Sequence, residues 1–85
     1  MTSFNEKQHS SLSDHVTTTL DAYFKTLQEE VPSDVYQLVI GQVEKPMIEY
    51  ILNHTEYNQS KAADILGINR NTLRKKIQTY QISKA

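Results

Sequence analysis

The sequence predicts an all-α fold in which four helices follow one another along the chain. Apolar residues recur three and four positions apart along two long segments, and the same spacing returns in two shorter segments near the carboxyl end. Only two glycines and two prolines occur among the 85 residues, so few positions interrupt the helices. A chain this short buries little surface without disulfides, a metal or a partner, and oligomerisation is therefore expected.

The first 27 residues should contain a flexible arm, residues 1–10, and then the first helix. Ser11 or Ser13 can begin that helix, because a serine hydroxyl can accept a hydrogen bond from an amide of the first turn. The run Glu29-Glu30-Val31-Pro32 should end it. Its apolar face consists of Leu12, Val16, Leu20, Tyr23, Phe24 and Leu27.

The second helix should run from about Asp34 to His54, with Ser33 or Asp34 as its cap. Its apolar residues cover more than one stripe, so it should be buried on several sides. The first helix cannot cover so much surface, whereas a second copy of the chain can. We therefore expect residues 11–57 to form the dimerisation helices of an intertwined homodimer. Pro46 should kink the second helix, or break it in two at Lys45-Pro46.

Residues 58–82 carry the pattern of a helix-turn-helix, and the whole chain should form a single domain. The third helix should run from Gln59 to Leu66 and the fourth from Arg70 to Tyr80, with Asn58 and Asn69 as their caps. Three further features support this prediction: the small pair Ala62-Ala63 for a close helix crossing, Gly67 for a turn with positive φ, and the apolar residues Ile65, Leu66, Ile68, Leu73 and Ile77.

The formal net charge of −1 conceals an uneven distribution. Residues 1–59 carry three lysines against nine acidic residues, whereas residues 60–85 carry six basic residues against Asp64 alone. A basic end on an acidic body is attracted to a polyanion. Because the basic residues alternate with Leu73 and Ile77 at helical spacing, the pattern indicates a DNA-binding helix rather than a solvated tail.

In a helix-turn-helix the second helix enters the major groove, and its first residues meet the base edges. Arg70 is the first candidate, since its guanidinium fits guanine O6 and N7, with a phosphate contact as the alternative. Asn69 either reads a base or caps its helix. The predicted base contacts are Asn69, Arg70 and Arg74. The predicted phosphate contacts are Asn58, Gln59, Ser60, Lys61, Thr72, Lys75 and Lys76, with Lys61 alternatively a solvated surface residue.

Catalytic motifs are absent from the sequence. It contains no glycine-rich phosphate loop, no nucleophile elbow, no HExxH and no acidic metal cluster. It has no cysteine, and His9, His15 and His54 lie far apart. We therefore expect no enzymatic activity, no catalytic residue, no cofactor and no metal site. No stretch approaches a membrane span, so we expect a cytoplasmic protein without a membrane partner.

The stretch Asn58–Tyr80 resembles the factor for inversion stimulation (Fis) family of bacterial nucleoid-associated DNA-binding proteins. The run GINRNTLRKKI, Gly67–Ile77, is nearly that family's recognition-helix signature. The resemblance extends back through VYQLVIGQVEKPMIEYILNHT, Val35–Thr55, and LSDHVTTTLDAYFKTL, Leu12–Leu27. It covers residues 11–82, which is most of the chain.

The resemblance implies a homodimeric transcriptional regulator that binds double-stranded DNA on the nucleoid. The two recognition helices of this family lie closer together than one turn of straight DNA, so the DNA must bend, and deformability contributes to recognition. By position, Asn69 and Arg70 match base-contacting residues of the family. Asn58, Thr72, Arg74, Lys75 and Lys76 match backbone contacts, with Arg74 close to the bases. RNA polymerase or a recombinase is implied as a further partner.

Three departures from the family pattern modify these expectations. About ten residues precede the first helix, fewer than in the better-known members whose arm contacts a recombinase, which argues against recombinase activation. Gln78 and Thr79 replace residues that are usually basic, and Glu56 occupies a flank position that is often basic. Fewer flanking charges release fewer counterions, which implies a shallower salt dependence and less wrapping of the DNA. We therefore expect weaker bending than in typical relatives.

Two alternatives remain for the function. The same carboxyl-terminal signature occurs in the DNA-binding domains of nitrogen-regulator-type enhancer-binding activators, so the chain could be a dimerisation and DNA-binding module of such a protein. Met1 and the polar arm instead favour a complete small protein. The other alternative is a helical interaction module that does not contact DNA.

Overall fold

The computed structural model describes residues 11–27 and 32–84, and these contain four α-helices. They are α1 (Leu12–Leu27), α2 (Val35–His54), α3 (Gln59–Leu66) and α4 (Arg70–Thr79). No strand occurs in either of those described ranges, which confirms the all-α prediction. The predicted arm, and the predicted end of the first helix at residues 29–31, lie outside the described residues. The chain divides into two compact units, residues 1–35 and 36–85.

Helix α1, in the first unit, begins where a serine cap was predicted. The Oγ of Ser11 accepts a hydrogen bond from the amide of Asp14 at 3.2 Å, and the amide of Ser11 donates to Asp14 Oδ2 at 3.3 Å. These reciprocal bonds satisfy donors that a helix amino terminus otherwise leaves without partners. Ser11 therefore acts as the cap. No residue of α1 is buried, and Leu12 and Phe24 remain 54% and 48% exposed.

Helix α2 continues through Pro46 without interruption, so the alternative of two helices separated at Lys45-Pro46 is wrong. The kink stays a prediction. The helix begins immediately after Asp34, as predicted, but Asp34 has a φ of 58°. An ordinary capping residue is extended instead.

The core of the second unit is a small cluster to which α2, α3 and α4 each contribute. Its buried members are Ile48, Leu52, Ala62, Ala63, Leu73 and Ile82. Around it lie the partly buried Ile51, Tyr57, Leu66, Ile68, Ile77 and Tyr80. Ala62 and Ala63 are 0% and 3% exposed, which confirms that small residues lie where α3 meets its neighbours. This core fixes the positions of the two short helices.

Several apolar side chains of α2 remain exposed within one chain. Only Ile48 and Leu52 of this helix are buried. Tyr36 and Tyr50 are each 70% exposed, and Met47 and Leu38 are also exposed. The prediction that a second copy of the chain buries α2 on several sides stays a prediction, and in the isolated chain this helix keeps an uncovered apolar surface.

Candidate nucleic-acid interface

The turn between α3 and α4 requires the glycine that the sequence places there. Gly67 has φ 75° and ψ 30°, the left-handed conformation that glycine adopts without steric cost. Its amide donates to the carbonyl of Ala63 at 2.8 Å, and the amide of Ile68 donates to the same oxygen at 3.0 Å. These bonds satisfy a carbonyl at the end of α3 and direct the chain into α4. The predicted helix-turn-helix geometry is confirmed here.

Both predicted asparagine caps are present. The Oδ1 of Asn58 accepts from the amide of Lys61 at 3.0 Å, and the Oδ1 of Asn69 accepts from the amide of Asn71 at 2.7 Å. Each asparagine has the extended backbone of a capping residue. The carbonyl oxygen of the Asn69 side chain is thus engaged by its own helix, which leaves its Nδ2 as the group for another partner.

Helix α4 has a buried stripe and an exposed polar face. Leu73 is fully buried, while Lys76, Ile77 and Tyr80 are partly buried and continue the same stripe at intervals of three and four. The other side chains of the first two turns are exposed: Arg70, Asn71, Thr72, Arg74 and Lys75. Three of them are cationic, so the exposed face of α4 is strongly basic.

The beginnings of α3 and α4 lie side by side. The Nη1 of Arg70 donates to the Oγ of Ser60 at 3.3 Å. Residue 60 lies in the first turn of α3, and residue 70 is the first residue of α4. The structure therefore brings a predicted base contact next to a predicted phosphate contact. Ser60 and Lys61 are exposed and Gln59 is partly exposed, around a helix amino terminus whose partial positive charge favours anions.

Lys76, unlike the exposed Lys75, is bound to a carboxylate of α2. Its Nζ is 2.9 Å from Glu44 Oε2 of α2, and the hydroxyl of Tyr80 donates to Glu44 Oε1 at 2.5 Å. The bond from Tyr80 lowers the pKa of Glu44; burial opposes this, and Lys76 lowers the pKa further. The same hydrogen bond raises the pKa of the Tyr80 phenol. Sequence reasoning missed Glu44, because nothing in the sequence pairs residues 32 positions apart.

The segment between α2 and α3 contains two consecutive residues in the left-handed region. Glu56 has φ 55° and Tyr57 has φ 63°, a conformation that costs most residues roughly 1–2 kcal/mol. The ring of Tyr57 packs against the core, and its hydroxyl donates to the carbonyl of Ser83 at 3.3 Å. Packing and this bond hold Tyr57, whereas the side chain of Glu56 is exposed.

Across residues 11–27 and 32–84 no group of three or more histidine, cysteine, aspartate or glutamate side chains is arranged to hold a metal ion. Within the same residues, each helix is either too short or too polar to cross a membrane.

Comparison with known proteins identifies the group to which this architecture belongs. The family model described as bacterial regulatory protein, Fis family, matches residues 39–80. A Fis-like protein of Pseudomonas aeruginosa is 41% identical over 86 residues, an alignment that covers 92% of this chain and 83% of that protein.

The chain belongs to the Fis family. A second relative, from Ralstonia nicotianae and also named Fis-like, is 48% identical over 65 residues, covering 76% of this chain and 84% of that protein. The DNA-binding protein Fis of Aliivibrio fischeri is 45% identical over 69 residues, covering 81% of this chain and 70% of its own length. Residues 39–80 of this chain, which the Fis family model matches, contain every predicted DNA contact. The family resemblance inferred from the sequence is confirmed.

Proposed function

We propose that this Fis-family chain is a non-enzymatic, homodimeric protein that binds and bends duplex DNA and acts as a nucleoid-associated transcriptional regulator. The observation that carries the proposal is the exposed basic face of α4, held next to the amino terminus of α3 by the glycine turn and by the Arg70–Ser60 hydrogen bond. That face carries cations that would neutralise phosphates. It also carries an arginine at the helix start, where the side chains of a recognition helix contact base edges.

Three residues would meet the bases. Arg70, at the start of α4, can present two donors to guanine O6 and N7, a pairing that discriminates by about 1–3 kcal/mol. Asn69 would use its Nδ2, because its Oδ1 caps the helix. Arg74, one turn further on and exposed, would lie at the groove edge, near both bases and phosphates.

The phosphate contacts would form two groups on either side of these residues. One group surrounds the amino terminus of α3, whose amides and positive dipole end favour an anion. The other lies on the exposed face of α4. Together they comprise Asn58, Gln59, Ser60, Lys61, Thr72 and Lys75. Lys76 differs from all of them because its ammonium is bound to Glu44.

The uncovered apolar faces support the homodimer. Exposed side chains on α1 and α2 include Leu12, Phe24, Tyr36, Met47 and Tyr50. Large apolar surfaces of this kind mark association sites in water, and an unaided core of six buried residues is small for a stable domain. A second copy of α1 and α2 would cover both faces and set the distance between the two recognition helices.

If that distance is shorter than one turn of straight DNA, as the family resemblance implies, the two helices can enter successive major grooves only when the duplex curves. Glu56, Gln78 and Thr79 are exposed and bring no positive charge to the flanks. We expect weaker bending than in relatives with basic residues there. A circular-permutation assay that found equal or greater bending would contradict this expectation.

The test compares Arg70→Ala and Lys75→Ala with the unchanged chain. Gel-shift titration should show weaker DNA binding for both variants, and loss of base preference only for Arg70→Ala. Sedimentation should show dimers in all three cases, because neither side chain is buried. If both variants bind DNA as the unchanged chain does, α4 is not the DNA-binding element.

A further inference from the structure

Helix α4 is attached to α2 by polar contacts that converge on one carboxylate. Glu44 uses both of its oxygens: Oε2 is 2.9 Å from the ammonium of Lys76, and Oε1 accepts from the hydroxyl of Tyr80 at 2.5 Å. Lys76 and Tyr80 are four residues apart and therefore project from the same face of α4. Two points of attachment fix the rotation of the helix about its own axis more firmly than one.

Lys76 lies at the margin of the exposed face of α4, one turn after the exposed Thr72 and three residues after the buried Leu73. It belongs to the stripe that includes the buried Leu73 and the partly buried Ile77, whereas Lys75 belongs to the exposed basic face. Its side chain is 33% exposed and that of Glu44 only 19%, compared with 76% and 63% for Lys25 and Asp21 within α1. The Lys76–Glu44 pair is thus less screened by water than a surface pair.

Moving Lys76 to a phosphate would also leave a charge behind. The carboxylate of Glu44 would lose its cation, and its negative charge would lie on the inner side of a helix that approaches a polyanion. By neutralising Glu44, Lys76 therefore has two effects that Lys75 and Arg74 do not have. It holds α4 against α2, and it removes a repulsive charge from the interior of the DNA-binding unit.

We infer that Lys76 is a positioning residue, locked by Glu44 and Tyr80, which sets the orientation of the recognition helix instead of binding a DNA phosphate. The inference rests on the proposed DNA-binding function and assigns different tasks to the two adjacent lysines. Lys75 contacts the DNA, whereas Lys76 sets the orientation of α4, the helix that carries both lysines.

The salt dependence of DNA affinity separates the two tasks, because each phosphate contact contributes about 0.9 to the slope of log affinity against log salt. The double variant E44Q/K76M removes the ion pair between Lys76 and Glu44 without changing the net charge. Its matched control, D64N/K75M, removes the exposed lysine and an exposed carboxylate, and also keeps the net charge. In a homodimer the control should lower the slope by about 1.8.

For E44Q/K76M we expect an unchanged slope and an affinity that is lower by a factor on the order of tenfold at every salt concentration, as misplacement of α4 would produce. A slope that falls as far as in the control would overturn the inference and make Lys76 a phosphate ligand. Unchanged affinity would overturn it too. If the unchanged chain does not bind DNA, or the control keeps its slope, the proposed function fails as well.

Lysine acetylation of the unchanged protein, read by mass spectrometry with and without DNA, gives a second test that needs no variant. Lys75 should react quickly and be protected by DNA, whereas Lys76 should react slowly in both states. In Glu44→Gln the reactivity of Lys76 should rise. Rapid reaction of Lys76 in the unchanged protein, or protection of Lys76 only when DNA is bound, would contradict the proposed role of the Lys76–Glu44 pair.

Discussion

The guanidinium of Arg70 donates a hydrogen bond to the hydroxyl of Ser60 at 3.3 Å, which joins the first turns of α3 and α4 across the Fis-family helix-turn-helix. Both side chains are exposed, so no burial forces the contact. Since a long arginine side chain loses conformational freedom when it binds a base, a contact that already restricts it reduces that loss.

We predict that Ser60→Ala lowers DNA affinity by about three- to tenfold, the usual net contribution of one hydrogen bond. A double-mutant cycle with Arg70→Ala separates the two roles of Ser60. If Ser60 acts through Arg70, its substitution has little effect once Arg70 is absent. An undiminished effect in that background would instead assign Ser60 to a phosphate alone.

The two glycines of the chain should respond oppositely to alanine. Gly67→Ala should destabilise the protein by roughly 1–2 kcal/mol, because its φ is 75° although the space around it is open. Gly41 lies inside α2, and a Cβ there would meet the Tyr80 ring at an ordinary 3.8 Å. Gly41→Ala should therefore stabilise by about 0.5–1 kcal/mol. Urea unfolding measures the change in unfolding free energy for each variant. Changes of the same sign and size would exclude the conformational explanation.

Stability should depend on pH through Glu44. Its pKa is lowered in the folded protein by the bond from Tyr80 and by Lys76, against burial. A lowered pKa contributes stability above the ordinary carboxyl value, and this contribution is lost as the pH falls through the folded value. The unfolding free energies of the unchanged chain and Glu44→Gln should therefore converge as the pH falls from neutral through the ordinary carboxyl value and below it. A difference that stays constant over that range would show that the carboxylate charge is not involved.

Relief of backbone strain should make Glu56→Gly stabilising by about 1 kcal/mol, because glycine adopts a φ of 55° without cost. Tyr57→Gly is the matched comparison. Tyr57 has a φ of 63°, but its ring packs on the core and its hydroxyl donates a hydrogen bond to the carbonyl of Ser83. It should destabilise the protein. Thermal unfolding measures both, and stabilisation by the Tyr57 variant would mean that its ring contributes less than its backbone costs.

Local signals in the sequence predicted much of this fold. The caps Asn58 and Asn69 and the turn glycine act within three or four residues of themselves, so their roles can be inferred without tertiary structure. At Pro46 these local signals predicted one kinked helix but left a break into two helices open. Loss of one amide donor is a local cost, whereas the packing of Ile48 and Leu52 beyond it is a tertiary gain.

The candidate site was predicted in composition but only partly in geometry. The exposed basic residues follow from helical periodicity, which separates them from Leu73 and Ile77. The bond between Arg70 and Ser60 depends on how steeply α3 and α4 cross, and the Lys76–Glu44 pair on how α4 rests on α2. Spacing along a single helix does not contain that information, so Lys75 and Lys76 looked alike in the sequence.

Selection from a pool of labelled duplexes over a salt series, with sequencing of the retained DNA, tests the central claim most directly. A dimer that reads half-sites and bends the DNA between them should show steep salt dependence and enrich paired guanines on either side of an A·T-rich centre. The absence of retention even at low salt would contradict DNA binding and leave a dimeric interaction module.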